Sequence, residues 1–134
     1  MTDQELRKIF ETTKTIAVVG LSSDPSRPSF GVTKYLQSKG YRIIPVNPKE
    51  TEVHGEKAYP DLLSVPEKVD LVEIFRRPEF VPTIVEDAIK IGAKTVWMQD
   101  GAGNPGAAKR AEETGLVAVV DDCMLRQHRR LFPH

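Results

Sequence analysis

Short runs of apolar, mainly β-branched residues recur along the chain, separated by longer and more polar stretches. Runs of this length are typical of strands, and continuous apolar character is typical of strands that are covered on both faces of a parallel sheet. The predicted strands are residues 15–20, 41–47, 70–75, 95–99 and 116–121.

The stretches between these runs carry helix start and stop signals. Gly40, Gly92 and Gly115 each follow an amphipathic stretch, in the position where glycine ends a helix. Asn104 stands directly before Pro105, which is the order expected of an N-cap and a first helical turn. The predicted helices are residues 30–39, 78–91, 105–114 and 124–131, with a short turn at 61–64.

Strands that alternate with helices predict right-handed βαβ units. We therefore expect a single α/β, Rossmann-like domain over residues 1–134. It should have three layers and a five-stranded parallel sheet in the order 3-2-1-4-5, with the strands numbered along the chain. Such a sheet binds ligands beyond the carboxyl ends of its strands, so the loops after the first four strands are the candidate site.

Composition narrows the possible partners. The 19 basic and 19 acidic residues cancel, which disfavours nucleic acid and anionic membranes as partners of the whole surface. The chain has no apolar run of membrane-spanning length, and its first residues lack the apolar core of a signal peptide. Its single cysteine, Cys123, fits a reducing compartment, so we expect a cytoplasmic monomer or homodimer.

The loop after the first strand begins like a dinucleotide-binding loop but departs from it at once. In the G-x-G-x-x-G fingerprint the three glycine positions hold Gly20, Ser22 and Pro25, so only the first glycine is present. The second strand ends at Asn47 and Pro48, without the carboxylate that grips the ribose of NAD. The pattern disfavours an NAD-linked oxidoreductase, and no Walker A sequence is present.

Hydroxyls and cations stand where the glycines are missing. Serine hydroxyls and backbone N–H groups at a helix start can donate to phosphate oxygens, and Arg27 can bind a phosphate with two hydrogen bonds. Lys49, after the second strand, would attract a phosphorylated ribose. The alternative is that Ser22, Ser23 and Ser29 only stabilise turns and that Lys49 is a solvated loop residue. The sequence alone leaves both interpretations open.

Four short motifs together give the chain a family resemblance. They are SRPS at 26–29, PVNP at 45–48, FRRPE at 75–79 and W-x-Q-x-G at 97–101. With the stretches around them, which reach from residue 18 to CMLRQHRRL at 123–131, they resemble the small bacterial and archaeal CoA-binding proteins. Those proteins are related to the CoA-binding domain of succinyl-CoA synthetase.

The resemblance implies a Rossmann-like fold that holds coenzyme A, or an acyl-CoA, through its ADP part. The residues implied for the pyrophosphate are Gly20, Leu21, Ser22, Ser23, Arg27 and Ser29. Those implied for the adenosine are Val46, Asn47 and Pro48, with Lys49 near the 3′-phosphate. Phe75 and Arg76 would flank the nucleotide, and Gln99 with Gly101 would border the exit of the pantetheine arm.

The end of the fifth strand raises the question of chemistry. A cysteine near a histidine permits a nucleophile–base pair, but the five residues from Cys123 to His128 correspond to a net helical rotation of about 140°. The pattern therefore favours packing for Cys123, and we expect no catalytic residue and no metal site. Where the family usually has arginine and glutamate, this chain has Asp122 and Gln127, which indicates an ion pair lost by drift.

The sequence leaves three functions open. The first is noncatalytic binding of CoA by a sensor or carrier. The second is an NAD(P)-dependent oxidoreductase, which lacks both the glycine fingerprint and a pair of residues for hydride transfer. The third is an interaction protein with a vestigial nucleotide pocket.

Overall fold

The computed structural model, which describes residues 1–133, contains one five-stranded parallel sheet. Its strands are β1 (Thr15–Val19), β2 (Arg42–Val46), β5 (Leu71–Ile74), β6 (Thr95–Met98) and β7 (Val117–Val119). Between β2 and β5 the chain forms a short antiparallel hairpin of β3 (Glu52–Val53) and β4 (Glu56–Lys57). The parallel α/β sheet predicted from the apolar runs is confirmed.

The order of the strands differs from the prediction. The sheet runs β2-β1-β5-β6-β7, which is 2-1-3-4-5 in the numbering of the predicted strands, so the order 3-2-1-4-5 was wrong. The outer edge of β2, where the third strand was expected, is occupied by Tyr59. Its N–H donates to the Pro45 carbonyl at 3.0 Å, and its carbonyl accepts from the N–H of Asn47 at 2.9 Å. Strand β5, the third of the predicted strands, therefore pairs with β1. The switch point, at which the order of the strands in the sheet reverses direction, lies between β1 and β5.

Helices cover both faces of this sheet, as predicted, but the helix at Asp3–Thr12 was not among the predicted helices. They are α1 (Asp3–Thr12), α2 (Pro28–Ser38), α3 (Val81–Lys90), α4 (Pro105–Glu113) and α5 (Met124–Leu131). Two short 3₁₀ turns are also present: Leu62–Ser64 precedes β5, and Pro78–Phe80 precedes α3. No helix within residues 1–133 has the length and apolarity to span a membrane.

The apolar side chains form two layers of core. On one face of the sheet α1, α2 and α5 pack through residues such as Phe10, Leu36 and Met124, around the fully buried Trp97. On the other face α3, α4 and the 62–64 turn pack against the sheet. Both faces of the strands are thus buried, which is why their sequences are continuously apolar.

Glu73 is a polar exception in the middle of β5. It lies between Val18 of β1 and Trp97 of β6, and its exposed fraction is 0%. Among the described residues no group hydrogen-bonds either of its carboxyl oxygens. Burial raises the pKa of Glu73 to about 8, so this carboxyl is mainly protonated at neutral pH.

Candidate nucleotide-binding site

A cleft of about 1070 Å³ opens at the carboxyl ends of the strands. Its walls come from the loops that follow β1, β2, β5 and β6, and from the starts of α2 and α3. It therefore lies over the switch point between β1 and β5, where open α/β sheets bind their ligands. Small-molecule sites usually measure about 300–1,000 Å³, so this cleft has room for a large nucleotide.

Gly20 makes the tight turn out of β1. Its φ is +90°, and a Cβ atom built there would overlap the carbonyl oxygen of Phe75 and lie 3.1 Å from Cδ of Arg76. Its N–H donates to the carbonyl of Val46 at 2.9 Å. Only glycine fits this conformation and this close approach of the β5 backbone.

The serines after Gly20 partly hold the loop itself. The N–H of Ser22 donates to the hydroxyl of Ser29 at 3.0 Å, and the N–H of Asp24 donates to the hydroxyl of Ser22 at 3.0 Å. Ser29 is buried, with an exposed fraction of 3%. These bonds fix the loop against the first turn of α2, so the turn-stabilising interpretation is correct for part of the serine set.

The N-terminus of α2 faces this cleft without a side-chain cap. Thr2 caps α1 and Asn104 caps α4, but the N-cap of α2 is Arg27, whose side chain makes no capping bond. The first turn of α2 contains no acidic residue. Pro28 has no N–H, and the N–H of Phe30 donates to the carbonyl of Arg27 at 3.1 Å, so it is the dipole of this eleven-residue helix that favours an anion, beside the guanidinium of Arg27.

The charges around the cleft are unevenly neutralised. The side chains of Arg27, Lys49 and Arg76 form no hydrogen bond or ion pair with any other residue of the described chain, although Arg76 stacks on the Phe80 ring at 4.4 Å. In contrast, Asp100 is bound by Arg126, which holds the pKa of that carboxyl below its usual value. Three cations are thus available to a bound anion.

Glu50 accepts hydrogen bonds from Ser23 in the loop between β1 and α2, which is called the phosphate loop below. Its Oε2 accepts from the N–H of Ser23 at 2.8 Å and from the Ser23 hydroxyl at 3.0 Å. Glu50 also lines the cleft. A carboxylate thus takes the donors that the sequence assigned to a phosphate.

Asn47 connects the loops after β1 and β2. Its Nδ2 donates to the carbonyl of Leu21 at 3.1 Å, and its Oδ1 accepts from the N–H of Lys49 at 3.0 Å. The asparagine side chain thereby sets the distance between the phosphate loop and the predicted adenosine loop.

Of the fourteen predicted ligand residues, all except Leu21 and Ser23 line the cleft. The Leu21 side chain is fully buried in the core, and Ser23 is turned to Glu50. Their contact with a ligand remains a prediction for all fourteen. Glu50, Arg77 and Phe80 also line the cleft and were not among the predicted ligand residues, although Arg77 lies in the candidate loop after the third predicted strand.

Cys123 and His128 do not form a nucleophile–base pair. His128 hydrogen-bonds the Tyr35 hydroxyl through Nδ1 at 2.8 Å, and burial lowers its pKa. Among residues 1–133, no histidine nitrogen forms a hydrogen bond with Cys123. Asp122 accepts from Nε2 of Gln127 at 3.0 Å and from Arg126 at 2.8 Å, so the two changed positions remain in contact.

Comparison with known proteins places this site in a family. Residues 14–129 match the family model for the CoA binding domain. This chain belongs to the CoA-binding domain family. The matched region contains every element of the cleft, from β1 to the start of α5.

Relatives in the CoA-binding family include short and long chains. The uncharacterized protein YneT of Bacillus subtilis is 39% identical over 124 residues, which are 92% of each chain. A hypothetical protein from Pyrococcus horikoshii has a solved structure with 46% identity and a TM-score of 0.95, covering 98% of this chain and 92% of that one.

A larger relative carries the same unit as one part of its length. The alpha subunit of the ADP-forming acetate–CoA ligase II of Pyrococcus furiosus is 36% identical over 113 residues. The match covers 83% of this chain but 25% of the ligase subunit. This chain therefore corresponds to about a quarter of that subunit.

Proposed function

We propose that this protein binds coenzyme A, or an acyl-CoA, through the ADP part and acts as a noncatalytic sensor or carrier. The observation that carries the proposal is the uncapped N-terminus of α2, which meets Arg27, Lys49 and Arg76 in one cleft at the switch point. Membership in the CoA-binding family supports the same ligand.

Each part of CoA has a matching surface in this arrangement. The pyrophosphate would lie at the start of α2, beside Gly20 and Arg27, and the 3′-phosphate would lie near Lys49. The apolar side chains of Val46 and Pro48 suit the adenine. The pantetheine arm would then cross β5 and β6 toward Gln99.

Ligand-dependent stabilisation tests the proposal. We expect micromolar affinity for CoA, or about 8 kcal/mol, and a stabilisation of about 2.7 kcal/mol when CoA is at 100 times its Kd. Thermal unfolding with CoA, acetyl-CoA, NAD, NADP and ATP, followed by calorimetry, measures both. Saturable binding of NADH without any heat from CoA would reverse the ranking of ligands.

Two matched variants test the assigned site. Arg27→Ala should weaken CoA binding by about tenfold, since a charged hydrogen bond contributes about 1.5 kcal/mol. Lys109→Ala removes an exposed cation on α4, outside the cleft, and should leave affinity unchanged. Equal affinities of the two variants would show that the phosphates bind elsewhere.

Glu50→Gln is expected to bind CoA more tightly than the wild type, by about three- to fivefold. The substitution removes a negative charge from the cleft and weakens the competition for the Ser23 donors. Calorimetry at low and high salt measures the effect, which should shrink as salt increases. Glu52→Gln, two residues further along at an exposed position, is the matched control. Unchanged affinity in Glu50→Gln would mean that Ser23 does not contact the phosphates.

A further inference from the structure

Cys123 follows β7, on the opposite side of the sheet from β2, whose following loop is predicted to hold the adenosine. It is the N-cap residue of α5, its exposed fraction is 9%, and it forms part of the cleft wall. Its backbone N–H donates to Oδ1 of Asp122 at 2.8 Å, which holds the residue in place. Cys123 therefore stands beside the space that the ligand would fill.

Gln99 marks the same end of the cleft with an unpartnered amide. The residue has an exposed fraction of 4%, and it also lines the cleft. Its Oε1 has no hydrogen-bond partner among the described residues. The N–H of Asp122 donates to the carbonyl of Met98 at 3.2 Å, so the chain before Cys123 lies against the end of β6, directly before Gln99. A buried amide oxygen without a protein partner can accept from an N–H group of a bound ligand.

The pantetheine arm has the chemistry and the length to meet both residues. It carries two amide N–H groups, and the second is two methylenes from the thiol. β1 and β7 are three strand spacings apart, roughly 14 Å at about 4.8 Å each. The arm has about twelve bonds between its phosphate ester oxygen and its sulfur, equivalent to about four residues or roughly 14 Å. A fully extended arm from a pyrophosphate at the start of α2 can thus reach the end of β7, close to Cys123 in the chain.

We propose that Cys123 exchanges with a CoA-containing disulfide in the cleft and holds CoA as a mixed disulfide. This inference rests on the proposed CoA binding. The Cys123 thiolate attacks the sulfur of the bound half of CoA disulfide, and a new S–S bond forms. The original S–S bond breaks, and the second CoA leaves as a thiolate that takes up the proton released by Cys123. The disulfide is the only oxidant that the step requires.

Intact-protein mass spectrometry of the full chain tests this exchange. We expect one CoA adduct per chain from CoA disulfide, formed at least about tenfold faster than the glutathione adduct from glutathione disulfide, because binding raises the effective concentration. Adenosine 3′,5′-bisphosphate should slow the first reaction and leave the second unchanged. Equal rates for the two disulfides, or no CoA adduct, would overturn the inference.

Variants separate this inference from the proposed function. Cys123→Ser, with Cys123→Ala as a second variant, should form no adduct and should still bind CoA in calorimetry under reducing conditions. Arg27→Ala should slow the reaction with CoA disulfide without affecting glutathione disulfide. If the Cys123 variants bind CoA and the wild type forms no adduct, only the inference fails. If neither Cys123 variant nor the reduced wild type binds CoA, the proposed function itself fails.

Discussion

Gly20→Ala is expected to lower the free energy of unfolding by about 3 kcal/mol and to remove measurable CoA binding. A φ of +90° is strained for any residue with a Cβ, by about 1–2 kcal/mol. The overlap with the Phe75 carbonyl adds about 1–3 kcal/mol of overpacking. Relief of that overlap would separate β1 from β5, where the Phe75 N–H donates to Val19 at 2.9 Å. The phosphate loop would move with it.

Thermal unfolding and CoA calorimetry of the same variant measure the two effects. The expected shift of the midpoint is about 10 °C downward for a domain of this size. Gly31→Ala is the matched control, because Gly31 is exposed in α2 and has no atom within 4 Å of an added Cβ. That control should gain up to about 1 kcal/mol. A Gly20→Ala protein with wild-type stability and affinity would contradict the close approach of β5.

The strands and most helix limits could be predicted because their causes are local. Apolar runs, Asn104 and the glycines after the helices act within a few residues of the elements that they define. The strand order could not be predicted, because it depends on whether Tyr59 pairs with β2, a contact between distant segments. The general position of the cleft was nevertheless predicted correctly, because each candidate loop follows the carboxyl end of a strand in either strand order.

The site was predicted less completely for the same reason. Residue types identified Arg27 and Lys49 as cations for phosphates, and both line the cleft. The bond between Glu50 and Ser23 spans 27 positions, and the sequence gives no signal for it. A similar limit applies to Glu73, whose apolar flanks predict a strand and say nothing of the depth at which its carboxyl lies.

Glu73→Gln is expected to remove the largest pH dependence of stability in this fold. Burial raises the pKa of Glu73 from 4.5 to about 8, whereas the unfolded chain keeps the ordinary value. Between these two values the unfolded state releases the proton and the folded state retains it. The contribution of Glu73 to stability is therefore complete below pH 4.5, falls as the pH rises, and is lost above pH 8. Over this window the change is roughly 5 kcal/mol.

Urea unfolding between pH 5 and pH 9 measures the difference between Glu73→Gln and the wild type. The difference should grow with pH in favour of the variant. Burial lowers the pKa values of His54 and His128, which acts in the opposite direction below about pH 6.5, but these terms are common to both proteins and cancel. A difference that stays constant with pH would mean that the carboxyl has a partner or is ionised in the folded state.

Two further variants separate the effect of the Glu73 proton on stability from the cost of burying a polar side chain. Glu73→Met has a similar size and no oxygen, so it should match the pH profile of Glu73→Gln and be about 1–3 kcal/mol more stable at every pH. Glu113→Gln, at an exposed position of α4, should differ from the wild type by less than about 0.5 kcal/mol throughout. If Glu73→Met is less stable than the wild type at pH 8, the carboxyl must be satisfied in the folded protein. The strands around it would then form a polar site rather than an apolar core.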